Sequence, residues 1–482
     1  MNLMIRKAIV ACSVALVISV KMFGQLDTAA KNLTLQECIA VALKNNSDVQ
    51  HQQVTSEIAR VDWQGAKGNM IPTLNGDISH GINQGRSIDP FTNSYANQRI
   101  SFGNYSLNSS VTLFNEFAIQ NNIKQTRFAF DASREQVQQT KDLIAMNVIL
   151  EYLQVLTNTD LVEVAKQQME VSAKQVERLD ILNQEGAISP SQLYDLKGQY
   201  ANDQLGLVNA ENALESAKVL LAQLMNVPYQ KNVAFEHIGL TDAMAANKGT
   251  TDSIYQAALQ NLAIVKAAEL QRRSAVYGVK TYRSLRYPSF YMTGGLFTNY
   301  SSNATTQQYI NTTEITTANY VLVDGSKLPV VVPQDNYTTQ KINYGSQFTN
   351  NFNTSVSIGI RIPLLNNLQN KTQIKTALLQ QKDAEITLQT TKTQLQQNIE
   401  QAYVNMTAAQ NRYTALTDQV NAFKESFREA EIKFNAGAIT SVDYLVVRNS
   451  LDRSNINLVI ARYDYVLRAM ILDYYSGQLT FQ

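Results

Sequence analysis

The chain has 482 residues, 44% of them apolar, and its 41 Lys and Arg offset 40 Asp and Glu to a formal net charge of +1. That balance excludes a general electrostatic attraction to nucleic acid or to an anionic membrane surface. The length exceeds one ordinary compact core, yet no segment after the N-terminus is an apolar run long enough for a spanning helix, so another architecture must use it.

Residues 1–24 read as a secretory signal, with Arg6 and Lys7 as its basic start and Ala8 to Val20 as an apolar run too short for an anchor. A cut after Gly24 is expected. Cys12 then leaves with the signal, no Cys stands at the new N-terminus to carry a lipid, and Cys38 remains alone as a small core residue.

The rest of the chain is written twice. Ala42-Leu43-Lys44-Asn45 returns as Ala258-Leu259-Gln260-Asn261 and Pro72 as Pro288, offset by 216; Leu113-Phe114-Asn115 returns as Leu364-Leu365-Asn366 and Gly186-Ala187-Ile188 as Gly437-Ala438-Ile439, offset by 251. The second copy therefore gains 35 residues after Pro288. The expected divisions are a first repeat over 25–226, a linker over 227–250 and a second repeat over 251–482 with a long polar loop at 301–347.

In chain order, Thr34-Leu35-Gln36-Glu37 is a capping-box pattern opening a helix that ends before Pro72. The period then becomes two. Leu74, Ile78 and Ile82 alternate with Thr73, Asn75, Asp77 and Ser79, and Tyr105, Leu107, Val111 and Leu113 with Ser106, Asn108, Ser110 and Thr112, which predicts two strands. Gly85 to Gly103 between them reads as a polar loop. Asn104 to Glu185 holds no Gly and no Pro, and the spacing from Met146 to Leu179 predicts a helix of about 100 Å from Asn115 to Glu185. Past the Gly-Ala-Ile turn a return helix is expected at Ser191 to Met225.

The second copy repeats this order, with strands marked by Phe290, Met292 and Leu296 and by Phe352, Val356, Ile358, Ile360 and Ile362. In the loop between them, Tyr320 to Val323 and Leu328 to Val332 flank Asp324-Gly325, a small exposed hairpin. From Leu395 to Phe434 twelve apolar positions alternate spacings of four and three, a coiled-coil seam. A return helix is expected at Val442 to Tyr475.

Strands with one apolar and one small-polar face, in an exported chain with long polar loops, fit a lipid-facing barrel with an aqueous lumen. Four strands cannot close a membrane barrel, and open edges in lipid leave backbone groups unpaired. An obligate oligomer follows, with either a dimer or a trimer meeting the strand count.

Leu33-Thr34-Leu35-Gln36-Glu37-Cys38-Ile39, Ile71-Pro72-Thr73-Leu74, the junctions Thr112-Leu113-Phe114-Asn115 and Ile362-Pro363-Leu364-Leu365, and the two Gly-Ala-Ile tips together resemble the TolC family of outer-membrane efflux and secretion ducts. The resemblance implies an α+β membrane protein that is a homotrimer, each chain giving four strands to a twelve-stranded outer-membrane β-barrel and two helical hairpins to a periplasmic α-barrel. It implies a passage without chemistry of its own, served by a periplasmic adaptor and an inner-membrane pump of the RND, ABC or MFS type, with outer-membrane lipid around the barrel and neither cofactor nor metal.

The resemblance also implies an acidic ring at the periplasmic entrance, and Asp443, six residues after Gly437, stands at the matching position. Gln192 is its first-copy counterpart. Helix capping is the competing reading of both, because Thr440-Ser441-Val442-Asp443 and Ser189-Pro190-Ser191-Gln192 are laid out as capping boxes. Gly186, Ala187, Ile188, Gly437, Ala438 and Ile439 are the candidate adaptor contacts, although the glycines are also what a helix turn needs. Where closed family members tie their tips with a basic and an aromatic residue, this chain has Ile439 and Phe434, so its gate is expected to be held differently.

His51, His80 and His237 lack metal-ligand spacing, and no nucleophilic triad or phosphate-binding loop is present. A periplasmic adaptor and a structural coiled-coil protein are the alternatives. Two hairpins, each preceded by membrane-type strands, argue against both.

Overall fold

The computed structural model describes residues 32–88, 93–97, 99–238 and 249–479. The expected signal at 1–24 and the 239–248 portion of the linker lie outside them. The chain divides into a helical unit (Met1–Ser56, Ser133–Ala268 and Leu388–Gln482) and a sheet-bearing unit (Glu57–Ala132 and Glu269–Thr387).

Where one opening helix is expected, two form: α1 (Leu35–Asn45) and α2 (Ser47–Gly68). Asn46 separates them in extended conformation, and its Oδ1 accepts from the Asp48 and Val49 amides at 2.8 and 3.3 Å, ending one helix and capping the next. In the second copy α5 (Thr251–Asn261) and α6 (Ala263–Ser284) break at Leu262, which has no capping group and is buried instead. Packing makes that second break, so the local sequence carries no sign of it. The Thr34 box forms as expected, with the Glu37 amide donating to Thr34 Oγ1 at 3.2 Å and the Thr34 amide to Glu37 Oε2 at 3.1 Å.

The two long helices, α3 (Ala118–Gln184) and α8 (Gln369–Asn435), have 67 residues each, about 100 Å at 1.5 Å per residue. Their returns are α4 (Pro190–Leu224) and α9 (Ser441–Ser476). All twelve seam positions from Leu395 to Phe434 are buried or half-buried. The main core of the helical unit gathers Cys38 and Ala42 of α1, Ile149, Tyr152 and Leu156 of α3, Leu221 of α4 and Val466 of α9. Burial pushes the Cys38 thiol up to about 12, so it is an inert core group. The described start of the linker is stitched to this core: Phe235 bridges Leu33 in parallel, and the Tyr152 hydroxyl lies 2.9 and 2.7 Å from the Leu33 and Glu236 carbonyls.

Each long helix is entered through two non-glycine residues in the left-handed region, Glu116 and Phe117 (φ 51° and 61°) before α3 and Asn367 and Leu368 (φ 51° and 63°) before α8. The positions are 251 apart, so the repeat extends to a costly backbone corner between strand and helix.

In the sheet-bearing unit, β1 (Thr73–Asn83), β4 (Ile100–Phe114), β5 (Ser289–Ser301) and β8 (Asn353–Arg361) form one antiparallel sheet in the order β1-β4-β5-β8. Directly paired residues share a face. Gly76, Leu107, Leu296 and Thr354 form one row of the apolar face, and Leu74, Ser109, Gly294 and Val356 the next. Phe114, Phe290 and Ile360 form another. The opposite face carries Thr73, Ser110, Thr293 and Ser357, with Thr73–Ser110 and Thr293–Ser357 hydroxyl contacts of 2.9 and 2.8 Å. Aromatic rings stand over its glycines: a Cβ at Gly359 would lie 2.5 Å from the Tyr291 ring. The strands β1 and β8 end the sheet on either side, with Ile78 80% and Val356 77% exposed.

Two further ribbons stand apart from the sheet. The short β2 (Arg86–Ile88) and β3 (Tyr95–Asn97) pair within the expected polar loop. The expected small hairpin is instead long, β6 (Thr305–Val323) against β7 (Ser326–Lys341), turning at Asp324-Gly325 with φ of 49° and 84°. The turn was readable; the length was not, because Thr, Asn, Gln and Tyr on both faces leave no apolar alternation. After it, α7 (Tyr344–Asn350) buries Gln347, whose amide bonds Ser301 in both directions and donates to the Ile342 carbonyl, fixing the ribbon's base to β5.

Candidate functional site

The two helix tips are built alike. Gly186 and Gly437 hold φ of 72° and 71°, which only glycine adopts without strain. Beside them the amides of Ala187 and Ala438 donate back to Leu182 and Lys433 at 2.9 and 2.8 Å, and those of Gly186 and Gly437 to Asn183 and Phe434 at 3.1 and 3.0 Å, the paired bonds of a Schellman end. Gly186, Ala187, Gly437 and Ala438 are exposed, whereas Ile188 and Ile439 are half-buried against an apolar tip core. The latter two thus hold the turn to the bundle, and the four small residues form its outer surface.

That tip core is Leu179, Leu193, Leu196, Phe434 and Tyr444. The Phe434 and Tyr444 rings stack at 4.6 Å, and Phe427 adds a third ring 5.7 Å from Tyr444. Beside this core, polar contacts also join the hairpins: Arg178 donates to the Asn435 carbonyl at 2.9 Å, and the Ser441 hydroxyl to Asp195 at 2.8 Å. Phe434 is therefore part of an apolar clamp rather than of an ionic tie.

Asp443 is exposed and caps α9. Its amide donates to Thr440 Oγ1 at 3.2 Å, and its carboxylate accepts from the Thr440 hydroxyl at 2.7 Å and amide at 3.3 Å. The matching first-copy box does not form. Pro190 starts α4, the Ser189 hydroxyl accepts from Ser191 rather than from Gln192, and half-buried Gln192 gives only its backbone N–H, to the Ser189 carbonyl at 3.1 Å. With the hydroxyl turned to the second amide of the helix, the reciprocal exchange that defines the box is lost.

Further along the helices lies a charged group that sequence reasoning missed. Arg448 of α9 is buried, pairs with Asp203 of α4 at 2.7 Å, donates to the Gln168 carbonyl of α3 at 2.7 Å and lies 3.5 Å from Asp452. One cation serves two carboxylates, and burial raises Asp452 from an ordinary 3.8 to about 6. Burial likewise pushes the neighbouring Tyr444 hydroxyl up to about 12.

The histidines are locally paired or solvated. His80 meets Ser101 Oγ at 3.0 Å and stacks on Tyr300, His237 stands 3.8 Å from Asp160, and His51 is exposed. Among the described residues no group of three or more His, Cys, Asp or Glu is arranged to hold a metal ion, and no helix is long and apolar enough to cross a membrane. The second statement does not bear on the sheet.

Comparison with known proteins agrees with these elements. The chain is 22% identical over 346 residues to the outer membrane protein TolC of Vibrio cholerae, covering 71% of this chain and 69% of that one. Its fold matches the crystal structure of CusC with a TM-score of 0.74 at 15% identity over 92% of this chain and 91% of that chain. It matches VceC of Vibrio cholerae with a TM-score of 0.73 at 14% identity over 92% and 96%. The sequence profile described as "Outer membrane efflux protein" matches residues 38–227 and 254–478, nearly the whole of both copies. The chain therefore belongs to the outer membrane efflux protein family, whose members are outer-membrane channels and not enzymes.

Proposed function

We propose that the chain is the exit duct of a tripartite efflux or type I secretion system, a homotrimer that passively conducts substrates from a periplasmic adaptor and an inner-membrane pump to the exterior. The observation that carries this reading is the four-stranded sheet of an outer-membrane protein left with β1 and β8 as open edges, one apolar face and one hydroxyl-lined face. In lipid those edges need partners, and copies of the same chain supply them. Three copies give the twelve strands of the TolC-like arrangement. The repeats at 25–226 and 251–482 then each contribute two strands and one hairpin, residues 1–24 direct export, and the polar stretch at 301–347 lies outside the cell.

In this reading the exposed Gly186-Ala187 and Gly437-Ala438 turns meet the adaptor, where small residues allow close backbone approach. Asp443 lines the periplasmic constriction, with Gln192 as its uncharged counterpart. Its cap bonds do not conflict with that role, because the carboxylate that makes them is exposed. Mass measurement of the detergent-solubilised outer-membrane fraction tests the assembly. A complex of three chains that dissociates on heating is expected, and a soluble monomer would overturn it.

A further inference from the structure

A cavity of about 370 Å³ opens where α3 begins and α6 ends, lined by Lys124, Lys280, Arg283, Glu116, Phe117 and Tyr287 among others. Three cations face it and one carboxylate. Among the described residues none of the three cations is ion-paired; Lys124 and Lys280 instead lie over the Tyr277 ring, at 5.5 and 4.6 Å from its centroid. The dipole at the C-terminal end of α6 accounts for Arg283 in its last turn, but not for Lys124 in the second turn of α3.

The cavity adjoins the apolar face of the sheet. Phe117 lines the cavity and meets Phe114 edge-on at 5.6 Å, and Phe114 packs on Phe290 at 6.3 Å, in the row that continues to Ile360. Tyr287 lies two residues before β5. An aromatic run leading from lipid-facing strands to a cluster of cations is the layout of a membrane–water boundary.

We propose that this cavity binds the phosphate of a glycerophospholipid in the periplasmic leaflet of the outer membrane, with the acyl chains lying along Phe114, Phe290 and Ile360. Lys124, Lys280 and Arg283 supply charge-assisted donors to the phosphate. Neutralising three converging cations offsets their mutual repulsion, and the bound lipid ties the start of α3 to the end of α6 beside the strained Glu116–Phe117 corner. The inference rests on the outer-membrane location and on the reading that the apolar face of the sheet meets lipid, not on the adaptor or the pump.

The test is native mass spectrometry of the delipidated, detergent-solubilised full-length protein titrated with dioleoyl phosphatidylglycerol. The triple variant K124A/K280A/R283A is expected to weaken binding at least tenfold, about 1.4 kcal/mol. The charge-preserving K124R/K280R/R283K should bind more tightly than the triple alanine variant, because the three positive charges remain. Dioleoylglycerol, which lacks the phosphate, should bind wild type no better than the triple variant, and inorganic phosphate at matching concentration should not displace the lipid. Equal phosphatidylglycerol binding by wild type and triple variant, equal affinity for dioleoylglycerol, or displacement by inorganic phosphate would each overturn the proposal. If the triple variant does not fold, K124A and R283A singly carry the test: weakening in either supports the site, and weakening in neither overturns it. Bilayer conductance reads the duct function separately, so a failure here leaves that reading standing.

Discussion

Arg448 holds its guanidinium 2.7 Å from the Asp203 carboxylate, with side-chain exposures of 2% and 6%, and so ties the return helix of one hairpin to that of the other. Neither group has water to fall back on. Arg448→Met should lower stability by about 3–5 kcal/mol, because it strands Asp203. The double variant Arg448→Met/Asp203→Leu should recover part of the loss, since it removes the stranded Asp203 charge while Asp452 is still left without its cation. A urea titration of the helical signal in detergent measures both, and a double variant no more stable than the single one would contradict this account.

The same cluster makes a pH prediction. Asp452 binds its proton more tightly in the folded protein, near 6, than at its ordinary 3.8. Its contribution is therefore fully present below about 4, falls as pH rises toward 6 and is absent above. Asp452→Asn removes that dependence, so the stability of the variant relative to wild type should rise with pH across this window and then level off. Parallel stability curves for the two proteins would rule out a raised Asp452.

Tyr444 is fully buried, and its hydroxyl has no hydrogen-bond partner among the described residues, while its ring is held between Phe427 and Phe434. Tyr444→Phe should therefore stabilise the tip by about 1 kcal/mol, whereas Phe434→Ala should cost roughly 3–5 kcal/mol. Hydrogen exchange of the tip amides resolves the two effects locally. A destabilising Tyr444→Phe would mean that the hydroxyl has a partner in the assembled protein.

Gly437→Ala meets no atom within 4 Å, so its cost is that of the left-handed backbone alone, about 1 kcal/mol. Gly437→Trp should cost little more in stability but should block an adaptor that approaches the turn closely. Co-purification with the adaptor distinguishes them: retention by both variants would remove these residues from the docking surface.

Asp443→Asn keeps a side-chain oxygen to accept from Thr440 but loses the charge. Stability should change by less than about 1 kcal/mol. Single-channel recordings should show altered conductance and weakened block by divalent cations. If both stay unchanged, Asp443 is a helix cap and nothing more.

What was readable in the sequence follows from which forces are periodic. The Leu395–Phe434 seam and the sheet alternation bury one face against another, so their spacing appears directly as residue type. The glycine turns and the Thr440 cap are local backbone chemistry and were equally plain. The break at Leu262 was invisible because burial rather than a capping residue accompanies it, and the corners at Glu116–Phe117 and Asn367–Leu368 because those residues do not favour the left-handed backbone they hold. Arg448 was missed for the reason that one arginine on a polar helix reads as solvated until Asp203, 245 residues earlier, is brought beside it.

The most direct test of the duct itself is ion conductance of the purified protein in a planar lipid bilayer, recorded for wild type and for the tip-loosened Phe434→Ala variant. Discrete conducting steps are expected, larger or more frequent in the variant, as for a membrane pore narrowed at its helical tips. Absence of conductance in both proteins would contradict the account.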